Sequence, residues 1–241
     1  MSAAAAKIAV LCWEEGLVPR GLVQLEALPG NSTNPATYGF PVRFCRIAGA
    51  TTRTVIEAPS RTVLKNMIAA TNRLAAEGVC AVTTSCGFNV IFQNELSRAT
   101  DAAIFTSSLL QVPFVRRILA PRDRIAVITA NGPALRAEHL RAAGISEDMN
   151  VEVFGLETCA EWNRIFTATD ETADLGRVSE EVVEAALRAQ ARRPDIGAFV
   201  LECTDLPPFS AAIRQATGLP VYDFTTMVRM VASSYGCVES F

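Results

Sequence analysis

The chain of 241 residues is half hydrophobic and 20% charged, with a net charge of −3 and a single histidine. That is ordinary globular composition, enough for one large or two small cores; there is no basic face for nucleic acid, and no apolar run reaches the roughly 18 residues of a membrane span. The opening MSAAAAKIAV lacks a basic n-region and Lys7 interrupts its apolar stretch, so a cytoplasmic protein is expected rather than a secreted one.

In chain order, KIAVLCW (7–13) and VRFCRIA (42–48) read as strands. Residues 61–77 carry apolar side chains at helical spacing and stop at Gly78. VCAVTT (79–84) and AIFT (103–106) follow as short strands. The series then restarts with strands at 124–129 and 151–156, a helix over 179–192, and strands at 196–202 and 221–224. Strands separated by helices predict parallel βαβ units and an α/β fold.

The restart has a fixed offset. Ile8, Ala9 and Val10 match Ile125, Ala126 and Val127, each 117 positions on, and Cys86 to Cys203 is the same step. IFTSSLL (104–110) aligns with YDFTTMV (222–228) at an offset of 118. The period is too long for a solenoid and predicts two pseudo-symmetric Rossmann-like lobes with parallel sheets and the active site between them. The first half carries about eight additional residues in LPGNSTNPATYGFPV (28–42), a turn-rich loop expected to lie over the cleft like a lid, with Asn34 and Thr37 as candidate substrate contacts.

Seven cysteines show no CxxC pair, and with one histidine they argue against a metal site. Cys12, Cys45, Cys80, Cys159 and Cys237 read as small buried hydrophobes. Cys86 and Cys203 differ, because each ends a strand among polar residues at the edge where parallel sheets bind ligands. Gly87 permits close backbone approach, and Thr204, Asp205, Pro207 and Pro208 suit the first turn of a helix. A helix N-terminus there would lower each thiol's pKa and hold a carboxylate, aided by Thr84, Ser85 and Thr204. Ser107, Ser108, Thr225 and Thr226 read as helix caps. His139, inside a helical pattern, reads as structural, and Arg43, Arg46 and Arg53 as solvated charges. No GxGxxG follows a strand and no Walker loop is present, so no cofactor is expected.

TTSCGF and LECTDLPPF, in two duplicated halves, resemble the cofactor-independent aspartate/glutamate/hydantoin racemase superfamily over essentially the whole chain. The resemblance implies Cys86 and Cys203 as opposed bases and a carboxylate-stabilised carbanion. It also implies a homo-oligomer, and a strand after each cysteine that crosses to the other half. The lobes would then be 1–102 plus 221–241, and 103–220. The expected activity is that of an isomerase, a racemase or epimerase of a small carboxylate-bearing or hydantoin-like substrate. A decarboxylase or cis–trans isomerase using one cysteine, or a non-catalytic two-lobed binder, is the alternative. Cys86-Gly87-Phe88 replaces the Cys-Asn-Thr of the amino-acid racemases, Asp205 stands where glutamate racemases carry histidine, and Cys12-Trp13-Glu14 replaces an Asp-Ser pair. These departures leave the substrate undefined.

Overall fold

The computed structural model describes residues 6–14, 16 and 18–238. The first half contains β1 (Ile8–Cys12), α1 (Arg20–Glu26), β2 (Val42–Arg46), α2 (Arg61–Ala76), β3 (Ala81–Thr84), α3 (Gln93–Ala99), β4 (Ala103–Ile104) and α4 (Val112–Ile118). The second contains β5 (Arg124–Thr129), α5 (Ala137–Ala142), β6 (Val151–Gly155), α6 (Ala160–Thr167), α7 (Leu175–Arg192), β7 (Ile196–Leu201), α8 (Ser210–Thr217), β8 (Val221–Tyr222) and α9 (Phe224–Ser234). Each half forms one four-stranded parallel sheet, ordered β2-β1-β3-β4 and β6-β5-β7-β8. The register repeats as well: Ile8 pairs with Val42, and Ile125 with Val151.

Local chemistry accounts for the elements. β1 is buried at every position, as a parallel strand covered on both faces must be. α2 starts where the Ser60 hydroxyl accepts from the Thr62 N–H at 3.3 Å. It buries Val63, Leu64, Met67, Ala70 and Leu74 along one stripe, and Gly78 at φ +94° turns the chain out. α7 begins four residues earlier than its apolar period suggests, because the Asp174 carboxylate accepts from the N–H groups of Gly176 and Arg177 at 3.0 and 3.1 Å.

The two halves exchange elements, but not the ones expected. β4 pairs with β3 and β8 with β7, so the strand after each cysteine stays in its own sheet. Lobe boundaries at 103 and 221 therefore fall too early. The helices that follow make the crossing. Val112 and Val115 of α4 share a core with Ile125, Val127, Ala198 and Val200 of the second sheet. Phe224, Met227, Val228 and Ala232 of α9 pack with Ile8 and Val10 of the first. A two-residue strand completes an edge without carrying the chain away, which leaves the crossing to the next segment.

A second exchange involves α1 and α5, which start 117 positions apart. α1 leaves its own lobe: Leu25 joins the second core, Arg20 N–H donates to the Thr169 carbonyl at 3.2 Å, and Gln24 accepts from Ala173 N–H at 2.8 Å. A Cβ at Gly21 would stand 3.0 Å from the Ile165 Cα, so glycine lets the two helices approach closely without displacing α6. In return α5 lays the buried His139 ring edge-on against Phe88, with centroids 5.5 Å apart. Both exchanges fasten the carboxyl edges of the two sheets together.

Candidate active site

The two cysteine segments meet directly. Thr204 donates its hydroxyl to the Ser85 carbonyl at 2.6 Å, and Ser108 donates to the Leu201 carbonyl. A Cβ on Gly87 would fall 2.2 Å from Glu202 Oε1 and 2.3 Å from the Glu202 carbonyl oxygen. Glycine at 87 is thus a condition of contact between the lobes. Both thiols are free. Cys86 is buried at the head of a two-turn 3-10 segment, Gly87–Phe92, that runs on into α3, while Cys203 is half-buried and donates to Asp205 Oδ2 at 3.8 Å.

The helix-terminus effect expected on the thiols does not prevail. Burial pushes Cys86 well above the ordinary thiol value, with the Glu202 charge adding to the shift. Cys203 is raised for the same reason, then by Asp205 and Glu202. Backbone N–H groups at Phe88, Asn89 and Asp205 pull the other way, but dehydration of a thiolate outweighs them. Without a cation in the cleft both groups are thiols.

Two carboxyls stand beside them: Glu202, which the sequence did not single out, and Asp205, which it offered only as a helix-start residue. Glu202 is fully buried, accepts from the Thr129 hydroxyl at 2.7 Å and leaves Oε1 without a protein partner. Burial raises it to about 7. Asp205 accepts from the Asn31 side-chain amide at 2.7 Å and is raised by burial to about 6. Their signal was the apolar setting: an acidic residue on each side of a cysteine, just after a buried strand, has little water to face.

The candidate residues divide by role. Thr84 donates to the Cys86 and Thr106 carbonyls, both at 2.8 Å, and Thr204 is committed to Ser85. These two hydroxyls and Gly87 are joints rather than free ligand donors. Ser85 is half-buried beside the Cys12 thiol, at the open edge. Asn34 and Thr37 hold the 28–42 loop itself: Asn34 donates to the Ala27 carbonyl at 2.7 Å, and Thr37 to the Asn31 carbonyl at 2.6 Å. The loop reaches the site through Asn31 and Ser32, both fully buried. The Ser32 N–H donates to the Thr204 carbonyl at 3.3 Å, and its hydroxyl has no protein partner. Tyr38 anchors the far end, its ring edge-on to Phe40, Phe44 and Phe224 and its hydroxyl donating to the Ser32 carbonyl.

The remaining candidates are structural. Ser107 caps a turn by accepting from Leu109 N–H at 3.3 Å. Thr225 and Thr226 donate within the Asp223 cap, which also accepts from the buried Ser210 at 2.5 Å. His139 Nδ1 accepts from Arg136 N–H at 3.1 Å, closing the start of α5, and burial lowers its pKa. Arg43 pairs with Glu77 on the surface, whereas Arg46 lies close enough to Glu26 to lower that carboxyl against its burial.

The fold, two paired parallel sheets with flanking helices, is that of solved racemases and of arylmalonate decarboxylase. An allantoin racemase from Pseudomonas fluorescens superposes with TM-score 0.60 at 16% identity, over 97% of this chain and 93% of its own. A glutamate racemase from Bacillus anthracis gives 0.53 at 15%, over 98% and 84%. Arylmalonate decarboxylase, in a Gly74Cys variant, gives 0.58 at 16%, over 94% and 92%. No family model matches the sequence. Among curated relatives, a dimethylsulfoniopropionate lyase from Durusdinium sp. clade D is 32% identical over 213 residues, 84% of this chain and 70% of its own length. The chain belongs to the dimethylsulfoniopropionate lyase family. Dimethylsulfoniopropionate lyase 5 from Emiliania huxleyi is also 32% identical, over 86% of this chain but 42% of the longer relative. These relatives are named lyases, which overturns the expected racemase or epimerase, an isomerase.

Proposed function

We propose that the chain cleaves dimethylsulfoniopropionate, or a closely similar 3-sulfonio carboxylate, by β-elimination. Membership of a family whose relatives carry that name supports the substrate. The observation that carries the chemistry is the placing of two carboxyls, Glu202 and Asp205, around the cysteine pair, with the Cys203 thiol donating to Asp205, a set complementary to a cation. The substrate brings both signs, a carboxylate at one end and a sulfonium at the other.

Cys203 is the base. It is the more exposed thiol and already donates to a carboxylate. When the sulfonium enters, its positive charge favours the thiolate, and the Cys203 proton passes to Asp205, which at about 6 is matched to the task. The thiolate then takes the proton on the carbon next to the substrate carboxylate. The C–H pair becomes the carbon–carbon double bond, the C–S pair leaves with sulfur as neutral dimethyl sulfide, and acrylate remains. Asp205 finally releases its proton to solvent, so each turnover yields one proton. Ser32 and Ser85 supply hydroxyls for the substrate carboxylate. A cytoplasmic setting would keep both thiols reduced.

Incubation of the purified chain with dimethylsulfoniopropionate, with dimethyl sulfide read in the headspace and acrylate by proton NMR, tests the reading. Stoichiometric release of both products is expected. Absence of either at enzyme concentrations that deplete an added thiol reagent would refute it.

A further inference from the structure

Asn31 lies in the 28–42 loop without being one of its expected contacts, and it is fully buried and reaches across the lobe boundary. Its amide nitrogen donates to Asp205 Oδ1 at 2.7 Å while the Cys203 thiol donates to Oδ2 at 3.8 Å. One carboxylate is therefore held by both partners, one on each oxygen. Asn31 is itself fixed: its Oδ1 accepts from the Thr33 N–H and the Thr33 hydroxyl, both at 2.9 Å. The loop that carries it is pinned by Ser32 N–H to the Thr204 carbonyl and by Tyr38 in the aromatic cluster. Gly30, at φ +105°, lies so close to the Pro207–Pro208 backbone that a Cβ would be 3.0 Å from the Pro208 nitrogen. The extra residues of the first half thus form a strap whose buried tip is an amide aimed at the second half's carboxylate.

We propose that Asn31 is a positioning residue that keeps Asp205 ionised and turned toward Cys203, so that the strap sets the proton acceptor of the site. Resting on the lyase reading, it explains why the insertion sits on one half only: one base needs one acceptor. An amide is suited to this because it donates without bringing a charge that would neutralise the cleft's attraction for a cation. Against burial, the Asn31 amide does most to favour the ionised form of Asp205, and the Cys203 thiol adds a smaller contribution of the same sign. Glu26 on α1 repels it, and Glu202, Cys203 and Cys86 become negative only at its expense. Arg46 acts on Glu26 rather than on Asp205.

The test is direct titration of Asp205 in the full chain by carbon-13 NMR of labelled aspartate carboxyls, assigned with Asp205→Asn. Asn31→Ala should move the Asp205 midpoint upward by about one unit, the size expected for loss of one buried charge-assisted hydrogen bond. Asn31→Asp, which keeps the Thr33 turn but replaces the donor with a like charge, should move it further in the same direction. The acidic limb of kcat/KM should follow by the same amount in each variant, since only ionised Asp205 accepts the thiol proton. An Asp205 midpoint unchanged in Asn31→Asp, in a protein of native circular dichroism, would overturn the proposal whatever the substrate. A midpoint that moves in a protein showing no dimethyl sulfide release would instead leave Asn31 its role and refute the lyase reading.

Discussion

The two cysteine segments occupy equivalent places in a duplicated scaffold, and they differ in charge. The first presents Ser85, Cys86 and Phe88; at the matching positions the second presents Glu202, Cys203 and Asp205. Cys86 is sealed in, with Phe88 packed on His139, whereas Cys203 is half-open with a carboxylate in hand. A symmetric pair of bases suits a reaction that works on both faces of one carbon. Elimination removes one proton from one face, and a site with its acceptor on one side only meets that requirement. The duplication supplies the frame, and under the proposed elimination the departures from it supply the chemistry.

The widest gap between the segments should be in activity. Cys203→Ser is expected to lower dimethyl sulfide release on the order of 10³-fold, because a serine hydroxyl is too weakly acidic to act as the base. Cys86→Ser should stay within about tenfold of wild type. Equal losses in the headspace assay would restore the symmetric picture. Next comes the seam. Gly87→Ala forces a methyl group into Glu202 and should cost about 3 kcal/mol in urea denaturation, while the equivalent Thr204 already carries a side chain. A full-strength Gly87→Ala would show that the lobes have room to part.

A smaller effect should appear in the pH dependence of stability. The folded-state pKa of Glu202 lies above its ordinary value, so its ionisation opposes folding: the protein should lose stability as pH rises through about 7 and regain it toward pH 5. Glu202→Gln should flatten that slope and stabilise the protein at pH 8.5 by roughly 2–3 kcal/mol relative to wild type. A wild-type profile flat between pH 5 and 8.5 would remove the argument. Least of all, Thr204→Val deletes the hydrogen bond to the Ser85 carbonyl and should cost about 1–2 kcal/mol, with the pH profile of activity unmoved.

Much of the fold was legible because its signals are local and repeated. The apolar runs at 8–12 and 125–128 place equivalent strands, and the 117-residue step brings Cys86 and Cys203 to equivalent edges. What escaped was the partnering of polar atoms across the seam. Thr84 and Thr204 look like ligand donors until their hydroxyls are seen committed to carbonyls. Asn34 and Thr37 were plausible loop contacts, but Asn31, three residues earlier, reaches Asp205 174 positions away. Reading the thiols as acidified failed for a related reason. Sequence places a turn after each cysteine, whereas the water excluded around the sulfur depends on the whole assembly. The reaction itself was misread because a shared scaffold does not choose among reactions.

The exchange of helices has a consequence for how the chain is made. Until α9 is synthesised, the face of the first sheet carrying Ile8 and Val10 lacks its cover, and α1 has no second core to enter until α6 and α7 exist. The N-terminal half therefore cannot mature on the ribosome as a finished unit, and its burial must wait for residues more than two hundred positions downstream. Folding should be slow and late, dominated by long-range closure, with an exposed apolar sheet for a chaperone to guard in the interval.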